Sequence, residues 1–156
     1  MTTVTLGQKV PDFESNATNN TIIKLSDLRG KKVILYFYPK DNTPGCTTEG
    51  QDFRNHIAEF TALNTTIFGI SRDTLRTHKN FKTKHQFPFE LLSDSDESLC
   101  TLFDVIKMKN MYGKQVRGIE RSTFLIDENG ILIEAWRKIR VKEHVATVLT
   151  HLKALK

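Results

Sequence analysis

Cys46 is one of two cysteines in the chain, and its neighbours give a thiol a way to react. It follows an apolar run, Val33-Ile34-Leu35-Tyr36-Phe37-Tyr38, whose β-branched and aromatic residues predict a buried strand. Pro39 ends that run. The loop Lys40-Asp41-Asn42 leads to Thr43-Pro44, where threonine suits an N-cap and proline suits the first helical position, which needs no N–H. Cys46 then falls in the first helical turn, among N–H groups with no intrahelical acceptor, and their dipoles favour a thiolate. Thr48-Glu49-Gly50-Gln51 has capping-box spacing and offers a rival helix start that leaves Cys46 in the preceding loop. Under either start the thiol sits where a strand gives way to a helix and a substrate can reach it. The opposing reading is a small buried hydrophobe, but Gly45, two threonines and a polar helix start make a poor apolar niche. Spacing alone predicts a reactive thiol without naming its reaction.

The elements that must position this thiol alternate in type. Residues 11–15 and 21–25 flank the turn-rich spacer Asn16-Ala17-Thr18-Asn19-Asn20 and predict an N-terminal β-hairpin. Ser26-Asp27-Leu28-Arg29-Gly30 predicts a short helical turn closed by glycine. After the Cys46 helix, Phe53, Ile57 and Phe60 recur at helical spacing and should face the sheet. Residues 65–71 predict a strand, 74–85 a helix, Leu91-Leu92 a short strand, and Ser93-Asp94-Ser95-Asp96-Glu97 the cap of a helix running through Leu99 to Phe103. Residues 121–127 and 131–138 predict a hairpin across Glu128-Asn129-Gly130. Val145, Val148, Leu149 and Leu152 mark a closing amphipathic helix. Strands alternating with helices and ending in a hairpin argue for a mixed sheet covered by helices.

The chain has 156 residues, 38% hydrophobic and 26% charged, as expected of one soluble domain over 1–156 with a substantial core. No apolar run reaches membrane-spanning length, the first residues lack the pattern of a signal peptide, and two cysteines make no disulfide framework, so a cytoplasmic protein is expected. The net charge of +5 raises nucleic-acid binding as a second hypothesis. Its basic residues are scattered, with loose clusters at 79–84, 107–117 and 137–142, and no zinc signature, RNP-like motif or continuous basic helix accompanies them. They read better as solvated faces, although a basic surface can attract an acidic protein reductant. The five histidines are dispersed and read as surface residues, and Asp94-Ser95-Asp96-Glu97 lacks the glycine and terminal glutamate of a calcium loop. Met108 and Met111 read as apolar or loop contacts. No metal, flavin or haem is expected.

Pro39, Thr43 and Cys46 form a PxxxTxxC arrangement, and the stretch FYPKDNTPGCTTEGQDFR resembles the bacterioferritin-comigratory, or peroxiredoxin Q, branch of the peroxiredoxins. GIERSTFLIDENG from Gly118 to Gly130 extends the resemblance, which covers nearly the whole chain. It implies a thioredoxin-like fold with an N-terminal hairpin extension, and a thiol peroxidase reducing hydrogen peroxide and organic hydroperoxides. It also implies that Cys46 is the peroxidatic cysteine, that Arg121 and Thr43 act beside it, that Pro39 shapes the loop and shields the thiolate, and that Glu49 orients the arginine. A guanidinium suits that task, because it can stabilise a thiolate and donate to a peroxide oxygen with fixed geometry. For Arg121 the opposing reading is a strand-end surface charge, and for Glu49 a solvated helix carboxylate. A dithiol-exchange enzyme fits less well, since Cys46-Thr47-Thr48-Glu49 has no second cysteine and Arg121-Ser122 stands where thioredoxins carry a cis-proline.

The chain departs from many relatives at the resolving cysteine. Gln51 stands five positions after Cys46, and the next helix reads Asn80-Phe81-Lys82-Thr83-Lys84. Cys100 is left as the resolving candidate, and its apolar neighbours Leu99 and Phe103 argue instead for a buried structural role. A one-cysteine mechanism recycled by thioredoxin, glutaredoxin or a small thiol is therefore expected, in a monomer or weak dimer. The alternative is a peroxide sensor that oxidises stoichiometrically and signals through a partner.

Overall fold

A computed structural model describes residues 3–155. Its elements are β1 (Glu14–Ala17), β2 (Ile22–Lys24), a 3-10 turn (Leu25–Leu28), β3 (Lys32–Phe37), α1 (Pro44–Asn55), α2 (Ile57–Ala62), β4 (Thr65–Ser71), α3 (Leu75–His85), β5 (Glu90–Ser93), α4 (Ser98–Leu102), β6 (Ile106–Met111), β7 (Lys114–Ile119), β8 (Ser122–Ile126), β9 (Leu132–Trp136) and α5 (His144–Ala154). Seven strands form one mixed sheet in the order β2-β1-β5-β4-β3-β8-β9. Strands β3, β4 and β5 run parallel, and β8 lies antiparallel to β3.

The apolar run of β3 alternates between two cores. Val33, Leu35 and Phe37 face one cluster with Leu99, Phe103 and Ile119. Ile34, Tyr36 and Tyr38 face the other, with Phe53, Phe60, Phe81 and Val148 from the helices. A strand buried on both faces reads as a continuous hydrophobic run because neither face meets water. Phe53 and Phe60 are fully buried as the spacing required, although the helix breaks at His56 into α1 and α2.

Three readings change. The first N-terminal strand lies later than expected, while the second falls within 21–25: Asn16 and Ala17 belong to β1, because Asn16↔Ser93 and Ala17↔Leu92 pair it with β5. The basic stretch at 107–117 is an antiparallel ribbon, β6–β7, outside the main sheet. Tyr112 (φ 53°) and Gly113 (φ 80°) form its two-residue turn in the left-handed region, the geometry that closes hairpins. Tyrosine at the first of those positions, and few β-branched residues on either side, hide the ribbon from a sequence reading. Finally, His78 and His144 are buried, contrary to the surface role expected of all five histidines; each ring hydrogen-bonds inside the fold.

Gly69, at the centre of β4, is a packing requirement. A Cβ there would stand 2.8 Å from atoms of Tyr36 and Leu91. Gly69→Ala should lower unfolding stability in urea by about 1–3 kcal/mol. Gly118→Ala, which meets only the flexible Lys109 side chain at 3.8 Å, should stay within about 0.5 kcal/mol of the wild type.

Candidate active site

The helix starts at Pro44, not at the rival capping box. Thr47 N–H makes the first backward bond, to Thr43 C=O at 2.9 Å, so the N–H groups of Gly45 and Cys46 face outward from the helix end. Thr43 occupies the N-cap position but makes no side-chain cap. Its hydroxyl donates to Lys40 C=O at 2.7 Å, because Asn42 (φ 64°) turns the loop back on itself. The Cys46 side chain is only 1% exposed and packs with the core beneath α1.

Arg121 precedes β8 by one residue, and the pairing Phe37↔Ser122 brings it to the end of the sheet where β3 runs into the Cys46 loop. One terminal nitrogen donates to Glu49 Oε1 at 2.6 Å, and the other to Cys46 Sγ at 3.4 Å. Glu49 is fully buried, so the solvated reading is wrong: one helical turn past Cys46, it points inward with the sulfur. Burial pushes its carboxyl up to about 7, against the lowering pull of Arg121. Its Oε2 and the buried Tyr36 hydroxyl have no hydrogen-bond partner among the described residues. Burial disfavours the Arg121 charge, yet Glu49 and Cys46 outweigh it and the guanidinium is held more firmly protonated. His144 donates to or accepts from Thr123 Oγ1 at 2.9 Å; burial and nearby Arg121 lower its pKa to about 4. Pro39 and Arg121 share the wall of a cleft of ≈ 510 Å³ with Met108 and Lys109 of the ribbon.

A second polar group, one that no local motif announces, holds the loop from the other side. Tyr38 donates to Asp41 Oδ1 at 2.6 Å, while His78 of α3 meets Asp41 Oδ2 at 2.6 Å and Leu92 C=O at 2.9 Å. Asp73 accepts from Asp41 N–H at 2.9 Å and from the Ser71 hydroxyl. Asp41, Asp73 and His78 are close enough to suggest metal ligands, but each is already engaged in hydrogen bonds within the fold, to one another or to Tyr38, Ser71 and Leu92. The cluster reads as a clamp on the loop before Cys46. Asp41 and the α3 spacing were visible in sequence; only the convergence of β3, β4 and β5 brings them together.

Cys100 lies in α4, completely buried. Asp94 accepts from the N–H groups of Leu99 at 2.9 Å and Cys100 at 2.8 Å, and burial together with that carboxylate raises the thiol's pKa. Both cysteines are free thiols.

A buried cysteine beside a guanidinium on a thioredoxin-like fold is thus in place, and comparison with known proteins gives the family: the chain belongs to the AhpC/TSA family, whose profile matches residues 6–135, and is a peroxiredoxin. It is 52% identical over 151 residues to peroxiredoxin Bcp of Bacillus subtilis, covering 97% of this chain and 96% of that one. The solved peroxiredoxin Q of Xanthomonas campestris is 51% identical, with a TM-score of 0.87 over 91% of this chain and 90% of that chain. A mutant of Xylella fastidiosa PrxQ superposes with a TM-score of 0.92 at 43% identity, over 99% and 98% of the two chains. Another Xanthomonas structure, 50% identical with a TM-score of 0.87 over 91% and 90%, concerns alkyl peroxide reduction by that protein. The protein is accordingly an enzyme, a thiol-dependent peroxidase whose substrate is a peroxide. No helix among the described residues is long and apolar enough to cross a membrane.

Glu49 gives the site a pH signature. Its folded pKa of about 7 lies above the ordinary 4.5, so between these values the folded state binds the extra proton and stability falls as pH rises. His144, lowered to about 4, contributes the opposite slope below the ordinary 6.5, but equally in wild type and variant. Relative to Glu49→Gln, which keeps an oxygen for Arg121, the wild type should lose up to about 3 kcal/mol between about pH 5 and pH 8 in urea titrations. A constant difference across that range would place the Glu49 pKa elsewhere.

Proposed function

We propose that Cys46 is the nucleophile that reduces hydrogen peroxide and small organic hydroperoxides, and that Arg121 is its catalytic partner. The observation carrying this reading is the single guanidinium that donates to both Glu49 and the Cys46 sulfur. Its charge and the outward N–H groups of the first helical turn favour negative charge on the sulfur. The thiolate attacks the terminal peroxide oxygen in line. An S–O bond forms, the O–O bond breaks, and the leaving oxygen takes the electron pair and a proton to depart as water or alcohol. Arg121 stabilises the charge moving along the O–O axis with donors already aimed, which costs no reorganisation at that moment. Thr43 supplies a hydroxyl oxygen at the mouth of the helix, and Pro39 closes the cleft wall against water. Glu49 positions Arg121 and does not itself touch the sulfur. The alkyl peroxide activity named for the Xanthomonas relative supports the same substrate class here.

The resulting sulfenic acid is recycled by an external thiol. Cys46–SOH and a reductant thiol condense to a mixed disulfide and water, and a second reductant thiol releases Cys46 as the thiol while the reductant leaves as a disulfide. Thioredoxin or glutaredoxin serves as that reductant, in the cytoplasm, and the whole chain acts as one domain. The burial of Cys100 beside Asp94 supports its exclusion from the cycle. Because Cys46 is only 1% exposed, the first turn of α1 opens to admit a protein thiol.

Cys46→Ser should abolish peroxide consumption with dithiothreitol, whereas Cys100→Ser should keep the wild-type rate. Mass mapping after one equivalent of peroxide should find the sulfenic acid at Cys46 and a free thiol at Cys100; a disulfide between them would end the one-cysteine mechanism. Repeated turnover on a cellular reductant separates a catalyst from a stoichiometric sensor.

Arg121→Lys keeps a charge but loses the fork that spans two acceptors. Its peroxide rate constant should fall by about 100-fold, about 2.7 kcal/mol of transition-state stabilisation. A thermal melt run alongside distinguishes this from unfolding. Near-wild-type rates would remove Arg121 from the chemistry.

A further inference from the structure

The ribbon β6–β7 exposes what a core-building hairpin would hide. Tyr112 is fully solvent-exposed at its tip, Met108 is 61% exposed, Met111 49% and Val116 41%. The register Lys109↔Val116 and Met111↔Lys114 places Lys107, Lys109, Met111, Lys114 and Val116 on one face, basic and apolar together. Between residues 105 and 118 the sequence has four basic residues and no acidic one. Arg117 is neutralised by Glu97 and Lys107 by Asp104, but Lys114, and Lys138 across the cleft, have no carboxylate partner among the described residues. A two-stranded ribbon is marginal by itself; this one is anchored at its base by buried Ile119 and by Lys109, whose ammonium donates to Ile119 C=O. The base walls the cleft that holds Arg121, so the exposed face continues outward from the site.

We infer that this ribbon is the docking surface for the protein dithiol that reduces Cys46, a partner presenting an apolar patch ringed by acidic residues. The inference rests on the external-thiol reading above. The ribbon's base shares the cleft wall with Arg121, which donates to the Cys46 sulfur, so a protein thiol entering by that cleft passes the ribbon, and the side chains there offer Tyr and Met contact area beside unpaired lysines. A second copy of this chain is disfavoured as occupant, since two surfaces of a +5 molecule repel.

The test uses thioredoxin as the protein dithiol and dithiothreitol as the small one. Tyr112→Asn keeps a residue tolerant of positive φ in the turn and removes the ring; Lys114→Glu reverses the charge. Both lie outside the cleft wall. The double variant should lose about tenfold in kcat/KM for thioredoxin, mostly through KM, with unchanged dithiothreitol turnover and single-turnover oxidation by peroxide. Salt should slow the wild type with thioredoxin and affect the variant less. Lys31→Glu, the same charge change at the opposite end of β3, should leave kcat/KM for thioredoxin at the wild-type value. Wild-type kcat/KM in the double variant, equal loss in Lys31→Glu, or salt-independent thioredoxin kinetics would overturn the docking surface. So would a concentration-dependent dimer, or binding to anionic vesicles, that the double variant abolishes without altering thioredoxin kinetics. Failure of thioredoxin to sustain the wild type while dithiothreitol does so would overturn the inference and leave the peroxidase standing; failure of both would instead overturn the peroxidase reading.

Discussion

The site depends on one buried cation. Arg121 lies between a carboxylate and a sulfur, and without it the charged Glu49 would stand in the core with no counter-charge. Taking a guanidinium and a carboxylate out of water costs several kcal/mol per ion, and only close, directional contacts recover it. Glu49 is matched at one oxygen and left unpartnered at the other, and burial accordingly raises its pKa towards neutrality. A Glu49 that readily takes a proton leaves more of the arginine's field for the sulfur. The incomplete satisfaction of this pair is thus consistent with an arginine reserved for a reacting atom.

Holding that arrangement requires a loop that does not wander. The chain between Tyr38 and Thr43 is fastened at both ends: Asp41 is gripped by Tyr38 and His78, and Thr43 bonds back to Lys40. The fastening groups stand at the carboxyl ends of the parallel strands β3, β4 and β5, where loops of α/β folds converge. Removing the His78 ring would leave a buried carboxylate short of a partner, so the loop and α3 behave as one unit.

The two cysteines show how far environment governs a side chain. Both are buried free thiols. Cys46 faces a guanidinium and a helix N-terminus; Cys100 has the Asp94 carboxylate at its own N–H, and negative charge there opposes a second anion. Burial alone would have made them equivalent. The sign of the nearest charge separates them: a cation beside one sulfur favours a thiolate, and a carboxylate beside the other disfavours it.

Local signals carried the sequence a long way. Alternation and β-branching placed β3, Thr43-Pro44 placed the start of α1, and these two put Cys46 in a first helical turn, all from contacts within a few residues. The Arg-Ser-Thr-Phe stretch placed β8, and family resemblance paired Arg121 with the thiol, but the separation of 75 positions between them holds no local rule that joins the two. Strand pairing joined them, through the register Phe37↔Ser122. Tertiary structure alone also decided which histidines are buried, that Glu49 turns inward, and that a lysine-rich stretch pairs with itself as a ribbon. Propensity and spacing act along the chain, whereas burial and charge pairing are set by which distant segments close over one another. Thus the sequence by itself determined where the thiol sits in its own segment; the fold determined what surrounds it.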